Sequence, residues 1–397
     1  MPDQEINKAL KGAEKLVAAL KASDGSPGDH LALLKQTDKV RTELEQPYDI
    51  VTRLLENMSV SAALYTLIGT GALQKLPEDG ESISAADLAE AIKVDQSAVA
   101  RPMRLIAANG ITVETAPDQY GHNMLSRILQ PTAMGGFFLV CMDFMRTWVR
   151  LPEYLKTHTP EDLYDPKKSP FAWASGHEGL TYYDALNLDV EKRNIWNATL
   201  QQMEKNMPIL GMFPFASLKE QVKKEPERPF IVDIGGGRGQ AMLAIQTECP
   251  GAFGGKLILQ DLPIVINSLK PEDVPGIEAT IHDIFTPQPV KNAHVYFMRR
   301  LLHDFYNPVC VEILKNTVSA MGLDSRLIIC DMLVPERVEV GGPMELYWLD
   351  FSLMTISGKE KTLTEFHEMF DTVGLELVHV YHSSVGKTAM LETRLRR

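Results

Sequence analysis

Val232-Asp-Ile-Gly-Gly-Gly-Arg-Gly-Gln240 is the stretch on which the fold turns. The apolar run PFIVDI, ending at Ile234, enters it as a strand, and Gln240 to Glu248 leaves it with helical spacing. A strand that breaks into glycines before a helix puts backbone N–H groups where a ligand can approach the main chain with no Cβ in the way. Glycines stand at 235, 237 and 239. The dinucleotide fingerprint G-x-G-x-x-G would need a further glycine at 240, where Gln240 stands, so pyrophosphate-type packing is the poorer match.

The next strand, KLILQ, ends in Asp261, 22 residues past Gly239, where a carboxylate can accept both hydroxyls of a ribose. The strand after it ends in His282-Asp283-Ile284, which offers an acceptor for an adenine amine and an apolar side chain to cover the ring. Asp233, Gly235, Gly236 and Gly237 would hold the other end of such a ligand. From Arg228 onward, strands PFIVDIG, GKLILQDL, ATIHDIF, AHVYFMRRLL and RLIICDML alternate with helices. That alternation predicts a largely parallel sheet covered on both faces. After a helix at 362–373, GLELVHVY and TAMLETRL lie close enough together to form an antiparallel hairpin. Seven strands with this ending suit a Rossmann-like class I methyltransferase domain better than a six-stranded dehydrogenase domain.

The fourth of these strands runs into Arg299-Arg-Leu-Leu-His-Asp304, so His303 sits just beyond a strand's carboxyl end, where open α/β sheets place their chemistry. The following strand ends in Asp331, and the loop before the last helix carries Glu360 in SGKEKT. Two carboxylates from one sheet edge can orient an imidazole and stabilise the cation it becomes on taking a proton. His282, His294 and His303 lack the spacing of metal ligands, and no catalytic metal is expected.

The chain has 397 residues, 45% hydrophobic and 23% charged, which predicts two globular domains. Its net charge of -12 repels phosphate backbones and anionic lipid, so neither nucleic acid nor membrane is an expected partner. MPDQEINKALKG lacks an apolar core of signal-peptide length and the longest apolar run, 136–142, cannot span a bilayer, which reads as a soluble cytoplasmic protein. Cys141, Cys249, Cys310 and Cys330 are far apart and without CxxC spacing, as reduced buried thiols would be.

Upstream, helical patterns cover about 4–20, 30–43, 46–57 and 59–73. Ser84 can cap a helix that buries Leu88, Ala89 and Ile92. A second helix from Gln96 buries Val99, Met103, Leu105 and Ile106 and stops at Gly110, and a short hairpin follows around Pro117 and Asp118. The pattern is that of a winged helix. Its second helix offers a DNA groove only Arg101 and Arg104, so dimerisation or packing is the expected role of this α-helical N-terminal domain, residues 1–125. The catalytic domain is placed at 126–397. Its first part, 126–225, is helical and rich in Met and aromatic residues, among which Met142, Phe144, Trp148, Trp173, Met203 and Met207 would line a pocket for a flat aromatic ligand.

VDIGGGRG, LQDLP, HDIF, RRLLHDF, CDMLVPE and SGKEKT followed by TEFHEMFDTVGL resemble, in order and spacing, the plant and fungal small-molecule O-methyltransferases, the group containing caffeic acid and sterigmatocystin methyltransferases. The likeness runs over roughly 45–395, and the doubled arginine before LLHD resembles the fungal branch. It implies a homodimer joined through the winged helix, S-adenosylmethionine as cofactor, S-adenosylhomocysteine as its product, and methylation of a hydroxyl on an aromatic or polyketide-like metabolite. Residue by residue it implies His303 as base, Asp331 and Glu360 as its partners, and the glycine loop, Asp261, Asp283, Ile284 and Arg299 as cofactor contacts. Two positions depart from the common pattern: Arg299 where plant members often have lysine, and Phe305 where tryptophan is common. A phenol of reference pKa about 10 is about one part in a thousand ionised at pH 7, so help from a base matters to such a reaction. The alternative within the same fold is a fungal enzyme that binds the cofactor without transferring methyl and guides a pericyclization or dehydration. A winged-helix regulator would need a basic recognition surface that the sequence does not offer.

Overall fold

The computed structural model describes residues 3–78, 80–204, 207–384 and 386–397. It divides into two compact units, residues 1–150 with 183–203, and residues 151–182 with 204–397.

The first unit opens with the helices Asp3–Ala22 and Pro27–Leu44, which pack on each other. The helix that follows, Pro47–Gly69, is one continuous rod where the sequence pattern suggests a break near residue 58. Asn57-Met58-Ser59 contains no Gly or Pro, so nothing interrupts the backbone hydrogen bonds. The winged-helix elements then appear in order: β1 (Ile83–Ser84), helices Ala85–Ile92 and Gln96–Ala108, β2 (Val113–Ala116) and β3 (Gln119–Gly121). Ser84 Oγ accepts from the Asp87 N–H at 3.0 Å and caps the first helix, and the β2–β3 turn passes through Asp118 at φ 56°. Leu64, Leu67, Leu88, Val99, Met103, Ile106 and Tyr120 form the core. Leu105 does not join it: the residue is 40% exposed, because a position beside Ile106 lies about 100° round the helix. Arg104 is tied to the wing, with Nη2 3.0 Å from Asp118 Oδ1.

The helix Met134–Trp148 and the helix Val190–Glu204 group with this unit by packing, whereas the change of sequence pattern set the division at 125. Phe144 and Trp196, one from each helix, meet edge to face at 6.5 Å.

The second unit is built on one sheet. Its strands are β4 (Ile231–Ile234), β5 (Leu257–Asp261), β6 (Glu278–Ile281), β7 (Val295–Arg299), β8 (Arg326–Val334), β10 (Leu375–His382) and β11 (Thr388–Leu395), with the two-residue β9 (Lys361–Thr362) pairing on β8. In space the order is β10-β11-β8-β7-β4-β5-β6. All pairings are parallel except those of β11 with its two neighbours. The class I domain read from the sequence is therefore present, down to the closing hairpin. β4, β5, β7 and β8 are almost wholly buried because helices cover both faces, and the core splits accordingly into two clusters. The order reverses beside β4, so the carboxyl ends of β4 and β7 flank the crevice where doubly wound sheets hold their ligands. Residues 151–182 join this unit through Phe171, whose N–H donates to Thr355 O at 2.8 Å, and Ser357, whose hydroxyl donates to Asp165 O at 3.1 Å.

Among the described residues no helix is long and apolar enough to cross a membrane, and the four cysteines form no disulfide, three of them being buried and Cys141 half-buried.

Candidate active site

Residues at the carboxyl ends of β4, β5 and β6 form one half of the site. Gly235 and Gly236 donate their N–H groups to the same acceptor, Gln260 O, at 2.8 and 3.1 Å, which folds the loop back over the end of β5. Gly236 cannot carry a side chain: a Cβ there would stand 2.5 Å from Asp233 Oδ2. Gly235 sits at φ 68°, in the left-handed region that side chains disfavour. Asp261 caps the arrangement, accepting from the Gly237 N–H at 2.8 Å and the Leu262 N–H at 2.7 Å. Behind them Gln260 and Gln288 exchange amide hydrogen bonds at 3.1 and 2.7 Å in a buried pair, which ties β5 to the segment after β6. On that segment Asp283 is exposed and accepts from the Phe285 N–H at 3.0 Å, and Ile284 is half-buried.

Asp233 is fully buried, and neither carboxyl oxygen has a hydrogen-bond partner among the described residues. Burial, aided by the Asp261 carboxylate and opposed by the Arg299 guanidinium, pushes its pKa up to about 7. An orphaned buried acid beside a glycine loop is a place that an amine-bearing ligand could fill. Arg299 approaches from the end of β7, with Nη2 3.4 Å from Met207 O.

The other half lies across the switch point. Arg300 takes φ 53° and sends its guanidinium to Glu360, with Nη1 donating to Oε1 at 2.8 Å. His303 follows on the short turn Leu302–Asp304, and its Nδ1 lies 3.3 Å from that same Oε1. Its Nε2 is 3.5 Å from Asp304 Oδ1, too long for a good hydrogen bond. Glu360 is 2% exposed, and its N–H donates to Asp350 Oδ1 at 2.8 Å. Burial alone would raise its pKa, but Arg300 and His303 outweigh burial and hold it at about 2. Asp331, equally buried on β8, goes the other way: burial and the Glu360 charge push it up to about 6 against the pull of His303 and Arg300. Its Oδ1 has no hydrogen-bond partner among the described residues. The carboxylate that touches the imidazole is thus Glu360. Asp331 belongs to the same cluster without a hydrogen bond to the ring.

The aromatic positions divide. Met142, Phe144 and Trp148 lie along one helix of the first unit, where Phe144 is buried against Trp196. Met203 lies on the neighbouring helix, and its side chain is outside the described residues. Trp173 belongs to the second unit and packs edge to face on Tyr154 and His158 at 5.9 and 5.8 Å. Met207 O accepts from Arg299 Nη2 at 3.4 Å, which sets it beside the glycine-loop half of the site. The site also contains residues that motif reading passes over, Arg300 and Lys361. Their sequence signal was the charge flanking His303 and Glu360 in RRLLHD and SGKEKT, which does not reveal that either is buried.

A family model described as an O-methyltransferase domain matches residues 170–376, just over half of the chain. The chain belongs to this family. Membership makes it an S-adenosylmethionine-dependent methyltransferase. The O-methyltransferase hmp5 of the fungus Hypomyces subiculosus is 37% identical over 399 residues, covering 99% of this chain and 98% of that one. Among solved structures, OxaC in complex with S-adenosylhomocysteine and oxaline is similar with a TM-score of 0.84 at 26% identity, over 99% of this chain and 100% of that one. A pericyclic reaction enzyme shares the fold at 24% identity and a TM-score of 0.80, over 98% of this chain and 100% of that one.

The raised pKa of Asp233 has a sign that can be checked. An acid titrating near 7 when folded and near 3.9 when unfolded destabilises the cofactor-free protein increasingly as pH rises from about 4 to 7. Asp233→Asn is therefore expected to make the cofactor-free protein more resistant to urea at pH 8 than the parent, with the gap closing toward pH 4. The same change is expected to weaken S-adenosylmethionine binding by calorimetry. Undiminished binding would remove Asp233 from the cofactor site.

Proposed function

We propose that this methyltransferase transfers methyl to a hydroxyl of an aromatic or polyketide-like secondary metabolite, with His303 as general base. The observation that carries the reading is the pairing of His303 Nδ1 with the buried Glu360 carboxylate at 3.3 Å, at the carboxyl edge of the sheet. A carboxylate on Nδ1 favours the tautomer whose proton sits there, which leaves Nε2 free to accept one. When the hydroxyl proton moves to Nε2, the imidazolium that forms is balanced by Glu360. Arg300 keeps that carboxylate from taking the proton itself. Asp331 supplies further negative potential from β8 when it ionises.

S-adenosylmethionine supplies the electrophilic methyl group when bound. On this reading Asp233 and the loop at Gly235, Gly236 and Gly237 hold its amine end. Asp261 turns from backbone N–H groups to the ribose hydroxyls, and Asp283 and Ile284 serve the adenine. Arg299 borders the methionine end beside Asp233. Met207 and Trp173 are the pocket candidates of the second unit, and Met142, Phe144, Trp148 and Met203 those of the first. A pericyclase or dehydratase of this fold would have less need of an imidazole backed by a buried anion, which favours methyl transfer. We also propose that the chain forms a homodimer through its N-terminal helical and winged-helix domain, residues 1–125. Ile6, Leu10, Val17, Leu20, Leu31 and Leu34 are each about half exposed there, more apolar surface than a lone domain usually presents.

Replacing His303 with alanine is expected to leave cofactor affinity within about twofold while lowering methyl transfer by roughly 10²- to 10⁴-fold, assayed with radiolabelled cofactor and a panel of phenols. Full turnover by that variant would remove the base, and turnover of a phenol without label incorporation would favour the non-transferring reading. Sedimentation velocity should show a dimer at micromolar concentration that Leu10→Glu with Leu20→Glu disperses; a monomeric parent would refute the assembly.

A further inference from the structure

Lys361 is the residue after Glu360, and it is 1% exposed. A buried ammonium is tolerated only where its protons are all engaged. Here they are: Nζ donates to Leu302 O at 2.8 Å, to Phe305 O at 2.9 Å and to Lys359 O at 2.8 Å. Leu302 and Phe305 bracket the His303-Asp304 turn, so one side chain grips that turn on both sides and ties it to the loop bearing Glu360. With three protons donated and no lone pair, Lys361 is not itself a base.

The grip is reinforced from the backbone. The Lys359 N–H donates to His303 O at 2.7 Å. One residue earlier, Gly358 leaves just enough room: a Cβ there would lie 2.7 Å from His303 O. Cys310 Sγ also approaches two of the three carbonyls that Lys361 holds, Leu302 O at 3.2 Å and Phe305 O at 3.5 Å, and closes the turn from the helix beneath. The ties of this set run to the His303 turn, and of the gripped residues Phe305 also packs edge to face on Phe285, past the end of β6, at 5.6 Å. The set acts on the distance between His303 Nδ1 and Glu360 Oε1.

We propose that Lys361, with Gly358, is a positioning element for methyl transfer: it bolts the His303 turn to the Glu360 loop and so sets the contact that makes the imidazole a base. The proposal rests on His303 acting as base. Ion-assisted hydrogen bonds to carbonyls are strong, and misplacement of a reacting group by about 1 Å lowers rate by on the order of 100-fold.

The test compares Lys361→Met, Gly358→Ala and His303→Ala in the full-length protein, with kcat measured at saturating substrate and cofactor, and Kd and site number for S-adenosylmethionine by calorimetry. Counting sites corrects kcat for molecules that fail to fold. Lys361→Met and Gly358→Ala should each lower kcat per cofactor site at least tenfold, with Kd within twofold of the parent. A purely structural lysine would lower the number of sites and leave kcat per site intact, and that result overturns the proposal. If Lys361→Met does not fold, Gly358→Ala decides by the same criterion, since it displaces the turn without removing a charge. His303→Ala separates the two levels: full activity in that variant sinks the base itself, whereas loss there with full kcat per site in the other two sinks the positioning role alone.

Discussion

A single buried carboxylate organises the carboxyl edge of the sheet beside β7 and β8. Glu360 lies in a region with almost no access to water, and a charge there is tolerable only if paired and hydrogen-bonded. It has Arg300 at 2.8 Å and His303 at 3.3 Å on the same oxygen, and its backbone is fastened to Asp350. Two stretches remote in sequence must therefore meet, the end of β7 and the loop before β9, and that loop is in turn fastened back to the helix Met344–Met354 from which it comes. Arg300 adopts a left-handed backbone conformation to reach the carboxylate, a strain that persists because the surrounding contacts demand it. Asp331 completes the cluster on terms set by Glu360. Burial raises Asp331 and the Glu360 charge adds to it, so the two acids diverge in opposite directions from their ordinary range.

The half built on the glycine loop obeys a complementary rule. There the loop supplies donors and the acids supply acceptors, and some of these groups satisfy one another. Asp261 accepts from Gly237 and Leu262, while Asp233 accepts from nothing among the described residues. A site that satisfies part of its own polarity and leaves one buried acid unsatisfied is built to gain from a ligand with an amine and hydroxyls. The two halves share β7: Arg299 and Arg300 are consecutive, and one serves the Asp233 side while the other serves Glu360.

Much of this was legible in the sequence because it depends on period and order. Strands announce themselves as apolar runs, their ends by Asp233, Asp261, His303 and Asp331, and the closing hairpin by the short link between β10 and β11. What was not legible depends on contacts between segments far apart in the chain. RRLLHD and SGKEKT contain every member of the Arg300–Glu360–His303–Lys361 group, but no spacing rule says that Glu360 rather than Asp331 meets the imidazole, or that Lys361 is buried. The aromatic-rich segment is divided by packing. Its residues share a composition, yet Phe144 packs with Trp196 in one unit and Trp173 with Tyr154 in the other, because packing sorts side chains by helix face and not by type. Leu105 lies outside the core for the same reason, one residue's turn round a helix being enough to carry a leucine from core to surface.

The account stands on the orientation that Glu360 imposes on His303, and that orientation can be read directly. Nitrogen NMR of protein labelled at the histidine rings, with His303 assigned by substitution, reports which ring nitrogen carries the proton in the cofactor-bound state at pH 8. The account predicts the proton on Nδ1, facing Glu360, with Nε2 bare. A proton on Nε2 with Nδ1 bare would contradict it, for then the nitrogen that should receive the substrate's proton would already hold one.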